Sequence, residues 1–487
     1  MKRDLAALAG REHDVLVVGG GIYGAATAWD AAQRGLAVGL VEAADYGSGT
    51  SWNSLKTIHG GLRHLQRADI AGLRESTRER AALLRIAPDL VRPLPFLVPT
   101  YGHGRRGREV LAAGLLANAL LTLDRNRGVP RTARLPRSRM LTRDEVLARV
   151  PGLDPSGLTG GALWHDAQVS SSERLLVGFL EAAASAGAAL ANYAPVKALS
   201  REGGRVRGAV VRDLETGTEA VVRARLVVNA AGPDVGAILG LAGIARPEVP
   251  LLHAANLVLR RAVVSGQGVG VESEGRFLFL APWADRSIVG TDYSPAGPVD
   301  ADVFFDVARR AFPWAGLDRA DVAVVHRGRV PGTRASTLWT RGRVIDHERD
   351  DGVPGLVSLV SVKYTTARAA AEQAVDLACR RLGRPKRRGR TAWTLLHAAR
   401  SLEGTLADRT RRAVQEESAV HLTDAVLRRL DLGTGGAPSG SEVATVLATM
   451  ATLLGWGEER QREERRALQA ACAPPFAGEI VESGPPR

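Results

Sequence analysis

Cysteine is nearly absent. Cys379 and Cys472 are the only two in 487 residues, far apart and in no C-x-x-C or metal-ligand spacing. That excludes a disulfide-stapled scaffold, gives no metal site, and fits a reduced, cytoplasmic setting. Long apolar runs are missing as well. The longest, Val110 to Leu123, is well short of a membrane-spanning helix. The opening MKRDLAALAGREH is too charged for a secretory leader, and none is expected. There is no internal repeat, no zinc spacing and no RNP-type aromatic run. The excess of 65 Lys and Arg over 52 Asp and Glu, a net +13, therefore does not point to nucleic acid. It suits an anionic small molecule or an anionic lipid face, which leaves the inner surface of the membrane open as a location. What is present is ordinary for a globular enzyme: 45% hydrophobic and 24% charged residues, with core enough for roughly three domains.

Residues 14–18, DVLVV, read as a buried parallel strand, 19–24 as a glycine turn, 25–34 as a helix and 37–42 as a second strand. A polar loop leads to a helix over about 62–84. The stretch 93–150 reads as irregular apart from an apolar helix near 110–123. Further along, 173–186 predicts a helix, 206–213 and 220–223 two strands, and 226–233 a strand running into small residues. Residues 246–350 are strand-rich, 353–382 predicts strand, turn and long helix, 385–390 is a basic linker, and 404–472 is mostly helical.

Gly19-Gly20-Gly21-Ile22-Tyr23-Gly24 carries the first chemical signal. Gly19 permits the tight turn, Gly21 lets backbone approach a pyrophosphate, and Gly24 lets the helix pack on the sheet. The pyrophosphate then meets the helix N-terminus, where N–H groups and the dipole favour negative charge. Glu42, at the end of the second strand, suits a ribose diol and would repel a 2′-phosphate. Ala230, Ala231 and Gly232 bring the chain back to the same fold with another close approach.

GGGIYGAA, SGTSWNSLKTIHGGLRHL (48–65), LVVNAAGP (226–233), APW…IVGTDY (281–293), SVKYTTAR (361–368) and AVQEESAVHLTDAVLRRLDLGT (413–434) occur in that order. Together they resemble the FAD-dependent glycerol-3-phosphate dehydrogenases of the D-amino-acid-oxidase-like flavoprotein superfamily, over residues 13–472. The resemblance implies an α/β fold: a Rossmann-like FAD-binding domain of the glutathione-reductase type (13–92, 155–245 and 353–384), interleaved with an α+β mixed-sheet substrate domain (93–154 and 246–352). A small all-α cap (395–475) completes it. FAD, held non-covalently, would lie against Gly19, Gly21, Ile22, Gly24 and Glu42, then against Thr50, Ser51, Lys56, His59 and Gly60. Ala231, Gly232, Lys363, Thr365 and Thr366 would close its site.

The same resemblance implies hydride transfer from C2 of sn-glycerol 3-phosphate to flavin N5, giving dihydroxyacetone phosphate, with quinone or oxygen as acceptor. Arg63 would clamp the substrate, since a guanidinium offers a planar fork of donors. Lys363 would bind phosphate or stabilise the reduced flavin, and either His59 or His64 would take the hydroxyl proton. Arg341 matches a third family arginine, with Arg343 two positions on. Two departures stand out. Asn256 occupies the place of a family histidine, with His253 three residues earlier. The family's G-V-R-P reads Gly328-Arg329-Val330-Pro331, and a one-residue shift on a strand reverses the face, which puts a catalytic Arg329 in question. They predict weak turnover of glycerol 3-phosphate, and keep open a related polyol phosphate, hydroxy acid or amino acid as substrate. A peripheral membrane contact through 110–123, flanked by Arg105, Arg106, Arg108, Arg125 and Arg127, and a homodimer remain open.

Overall fold

The computed structural model describes residues 1–103, 107–245, 249–333, 337–385, 387–397, 403–472 and 476. The apolar run His13–Val18 is buried at every position and forms the centre of the first sheet. Such a strand needs cover on both faces, which parallel pairing with crossover helices supplies. It lies between Val38–Val41 and Glu219–Asn229, both parallel to it. Leu356–Val360 extends the sheet in parallel, Arg343–Asp346 closes that edge antiparallel, and Ala189–Ala191 closes the other. Ile22–Gln33, Ser172–Ser185 and Ala367–Arg381 pack on one face in a single apolar cluster. The other face is covered by an antiparallel layer of Val196–Glu202 and Arg205–Arg212. Glu219–Asn229 serves both layers: its first half pairs with Arg205–Arg212 and its second with His13–Val18. The two strands expected at 220–223 and 226–233 are thus one.

A second, nine-stranded sheet stands beside the first. Its order is Val322–Pro331, Leu251–Leu259, Arg286–Ser294, Arg276–Trp283, Gly268–Ser273, Val91–Tyr101, Leu158–Val169, Thr57–Ile58, with Arg139–Leu141 also on Leu158–Val169. Two expectations are corrected here. The 93–150 stretch opens with a long strand, not irregular chain, and Leu158–Val169 joins this sheet although 155–245 reads as dinucleotide-binding in sequence. Pro93, Pro95 and Pro99 hid the strand. They share one parity, so they strip donors from one edge only. Val91–Tyr101 accordingly keeps a full ladder with Leu158–Val169, while only Phe96 and Leu97 pair with Gly268 and Val269.

The helix expected at 62–84 is broken. A 3-10 turn, Leu62–Arg67, ends at Ala68 in the left-handed region, and Asp69 then caps Ile70–Ile86 by accepting from Gly72 N. That side-chain cap satisfies one of the free N–H groups of the new helix. At the far end Leu406–Glu416, Asp424–Arg429, Gly440–Leu454 and Glu458–Ala471 enclose a small core. They are fastened to the first sheet by buried ion pairs, Asp45 with Arg428 and Arg429, and Arg174 with Glu417.

Candidate active site

Gly19 ends the first strand at φ +109°, and a Cβ there would lie 2.6 Å from the Ala230 carbonyl oxygen. A Cβ on Gly24 would come 1.8 Å from Gly19 O, so helix and turn are in direct contact. Gly21 caps Ile22–Gln33 without a side-chain partner, and Ile22 N donates to Ser51 Oγ at 3.0 Å. This is a helix N-terminus opening onto a glycine-lined cradle, a fit for a pyrophosphate. Glu42 accepts from Gly20 N at 2.5 Å and Ala44 N at 3.0 Å. Burial raises its carboxyl against those bonds. Ala231 and Gly232, half-buried, face the same turn from Glu219–Asn229.

Three residues of the 48–65 loop are otherwise engaged. Lys56 is 0% exposed, and its Nζ donates to Trp52 O, Ser172 Oγ and Glu173 Oε1 at 2.6–2.9 Å. All three donors of its ammonium are used in this way, and Lys56 pins the loop to the helix Ser172–Ser185 instead of offering a charge to a cofactor. Thr50 fastens the loop to the edge strand Val322–Pro331, its hydroxyl donating to Arg329 O and accepting from Arg329 N. Gly60, Thr365 and Thr366 are nearly buried, the threonines at the N-terminus of Ala367–Arg381.

Between the sheets the structure gathers His59, Arg63, His64 and Lys363. The two histidines differ sharply. His59 has 41% of its side chain exposed; Nδ1 lies 3.2 Å from Asp166 Oδ2, and Nε2 forms no hydrogen bond among the described residues. Asp166 also accepts from Gly60 N and is paired with Arg80. Burial opposes its charge, but the bond from His59 and the charge of Arg80 outweigh it and hold the carboxyl well below its usual range. An ionised partner on Nδ1 fixes the tautomer with Nε2 as the open acceptor. His64 is 5% exposed. Its Nδ1 donates to Asp69 Oδ2 at 2.8 Å and its Nε2 accepts from Lys363 Nζ at 2.5 Å. Burial, then the charge of Lys363, lowers the imidazole. Burial also pushes half-buried Lys363 down to about 8, against the carboxylates of Glu75 and Asp69.

Arg63 is exposed, stacked 5.8 Å over the Phe277 ring, and pairs with no carboxylate among the described residues. Tyr293 lies within its field. Two of the other candidate arginines are ion-paired. Arg329 is ion-paired with Asp234 at 2.9 Å, Arg341 with Asp69, and Arg343 is stacked 4.1 Å over Trp339. A catalytic role for Arg329 is therefore not what this geometry offers, whereas Arg343, like Arg63, is exposed and pairs with no carboxylate among the described residues. Asn256 is corrected too. It is 2% exposed, accepts from Thr291 Oγ1 at 2.6 Å and is pressed against Gly290, where a Cβ would stand 1.9 Å from its Oδ1. It is part of the sheet's packing. His253 sits opposite Arg329 and Ser294 in the same sheet.

Sequence reasoning missed Asp166, Asp69, Glu75 and Tyr293. Asp69 left a signal, as an acid at a helix start. Asp166 did not, because its meeting with His59 depends on a strand register a hundred residues away. Among the described residues no cluster of three or more acidic, histidine or cysteine side chains is set to hold a metal.

A glycine cradle on a parallel sheet, with Tyr23 of its helix bonded to Lys363 and so brought close to the His64 and Lys363 cluster, is the architecture of a dinucleotide-dependent enzyme. The profile of the DAO family, FAD dependent oxidoreductase, matches residues 14–377, and the chain belongs to that family. Its relatives include glycerol-3-phosphate dehydrogenases. That of Synechocystis sp. is 32% identical over 402 residues, 77% of this chain and 71% of its own length. That of Mycobacterium leprae is 35% identical over 385 residues, 75% of this chain and 63% of its own length. The mitochondrial protein of Mus musculus is 33% identical over 75% of this chain and 53% of its own, so the chain spans only about half of that relative. In three dimensions the chain is similar to the glycerol-3-phosphate dehydrogenase of Bacillus halodurans complexed with FAD. The TM-score is 0.73 at 24% identity, over 97% of this chain and 98% of that one. It is also similar to the FAD-bound L-α-glycerophosphate oxidase of Mycoplasma pneumoniae, with TM-score 0.57, 18% identity and coverage of 79% and 99%. The cofactor is FAD.

Proposed function

We propose that this chain oxidises sn-glycerol 3-phosphate to dihydroxyacetone phosphate. The observation that carries the reading is the contrast among its arginines: among the described residues Arg63 stands without a carboxylate beside Lys363, while Arg329 and Arg341 are ion-paired. An unpaired guanidinium next to an ammonium, walled by Phe277, is a receptor for a small dianion. His59 Nε2, held acceptor-side out by Asp166, takes the hydroxyl proton as the C–H hydride leaves C2. FAD, bound in the cradle without a covalent link, supplies the hydride-accepting ring. Neither cysteine is placed to attach it: Cys379 is buried in the helix Ala367–Arg381, and Cys472 lies in the cap. Arg341 joins Arg63 and Lys363 once it leaves Asp69. The test is anaerobic flavin reduction by a panel of polyol phosphates, hydroxy acids and amino acids. Reduction by glycerol 3-phosphate ahead of the others is expected; faster reduction by an amino acid refutes the assignment.

Electron delivery to a membrane quinone is supported by one surface. The helix Arg108–Leu121 buries Leu115, yet Val110, Leu116, Leu120 and the following Leu123 are half or more exposed. Exposed Trp393 lies near its end, against Gly128 and stacked 3.7 Å over Arg85. Arg125 and Arg127 flank it; Arg105 and Arg106 lie outside the described residues. Apolar side chains followed by Arg125 and Arg127 suit the interface of an anionic bilayer. No described helix is long and apolar enough to cross one. Salt-sensitive co-sedimentation with anionic vesicles is expected, and its absence at low salt removes the idea.

A further inference from the structure

Arg341, Asp69, His64 and Lys363 form one unbroken chain. The Arg341 guanidinium engages both oxygens of Asp69, Asp69 Oδ2 accepts from His64 Nδ1 at 2.8 Å, and His64 Nε2 accepts from Lys363 Nζ at 2.5 Å. Its ends are open and its middle is closed: the side chain of Arg341 is 47% exposed, Lys363 is half-buried, and His64 is sealed between them. Both ends are cations, so anything that binds one of them acts on the other through a shared carboxylate.

We propose that Asp69 links the binding of a substrate anion at Arg341 to the uptake of a proton by the His64–Lys363 pair. The inference rests on Arg341 and Lys363 both facing the substrate's anionic group, as proposed above. In the ligand-free chain Arg341 neutralises Asp69, and Asp69 in turn occupies the donors an anion needs. When a dianion takes Arg341, the charge of Asp69 is left to the His64–Lys363 pair and to the N–H of Gly72 that it caps. The pair then binds protons more tightly, which keeps Lys363 charged against the anion. Linkage makes the effect reciprocal: protonation of the pair favours the anion. The charged groups facing the pair are few. Asp69 and Glu75 come from the helix Ile70–Ile86 and its cap, Arg63 and Arg67 from the 3-10 turn, and Arg341 from the loop before Arg343–Asp346. Of these, Asp69 alone is hydrogen-bonded to His64 and to Arg341 at once. Asp69 and His64 are positioning residues in this scheme, acting through the two cations.

The test is calorimetric titration of the FAD-loaded enzyme with sulfate, a dianion that does not itself titrate near neutrality. Buffers of different ionisation enthalpy give the number of protons taken up per anion bound, near the value of about 8 for Lys363. Wild type should take up protons. Asp69→Asn should take up fewer and, with Arg341 released, bind sulfate about 1.5- to 5-fold more tightly at lower pH, as for loss of one competing ion pair. A damaged site would bind more weakly, so the direction separates linkage from misfolding. Asparagine also caps helices as well as aspartate, so the start of Ile70–Ile86 is kept. His64→Gln should lower the proton count without tightening the anion. A proton count unchanged in both variants, or weaker sulfate binding by Asp69→Asn, overturns the proposal. Lys363→Met is the reference: if it leaves sulfate binding intact, the reading of the crevice as the anion site fails first.

Discussion

His59 and Asp166 face each other across the second sheet, Nδ1 3.2 Å from Oδ2, because Thr57 pairs with Gln168 and Ile58 with Ala167. The next step of that antiparallel register brings the histidine to the aspartate. His59→Gln should lower kcat by about 10²- to 10⁴-fold, the range for losing a general base, with KM and FAD content little changed. Asp166→Asn should cost stability as well, about 3–5 kcal/mol, because it leaves buried Arg80 without its counter-ion. Steady-state kinetics beside thermal melts separate the two effects; an active His59→Gln would move the proton acceptor elsewhere.

Arg63→Ala should raise KM about 10- to 100-fold, from about 1.5–3 kcal/mol for hydrogen bonds to a charged group. FAD content should hold, since Arg63 touches Phe277 and no part of the glycine cradle. Unchanged kinetics would make it a surface arginine.

Lys363 gives a pH dependence. With its ammonium at about 8, charge is present below that pH and lost above it, so KM for an anionic substrate should climb as pH rises past about 8. Lys363→Met should give a raised KM without that limb. The stability sign is opposite. The folded value lies below the 10.5 of a free lysine, so the unfolded chain binds more protons between about 8 and 10.5 and this group's contribution to stability grows with pH there. Activity lost above pH 8 with no fall in melting temperature from this group is the expected pairing.

Asn256→His reads in sequence as a repair, putting back a family histidine to improve turnover. The structure reverses that expectation. The position is 2% exposed and closed by Gly290, so a larger ring should overpack the sheet at a cost of about 1–3 kcal/mol and bring no gain in kcat. A melting curve and a rate on glycerol 3-phosphate decide it; a faster, equally stable variant would show that the ring finds the crevice.

Much of the molecule was legible because its signals are local. The strand, glycine turn, helix and second strand from His13 to Val41 follow from short-range pattern: a buried apolar run, a residue that must take φ +109°, and a helix pressed on the turn where any Cβ would collide. FAD binding rests on that segment. The long strand Val91–Tyr101 was hidden, since a proline's cost depends on which neighbour its missing N–H faces, and only pairing settles that.

The sequence by itself determined the cofactor fold, and with it the residues from which a catalytic set could be drawn. Tertiary structure alone decided among residues of the same type. It left His59 open and closed His64 behind Lys363. Among the described residues it left Arg63 without a carboxylate and paired Arg329 and Arg341 with aspartates, and it turned Lys56 inward to Glu173. Exposure and charge pairing are set by neighbours brought from far along the chain, and a side chain's chemistry is fixed by what surrounds it as much as by what it is.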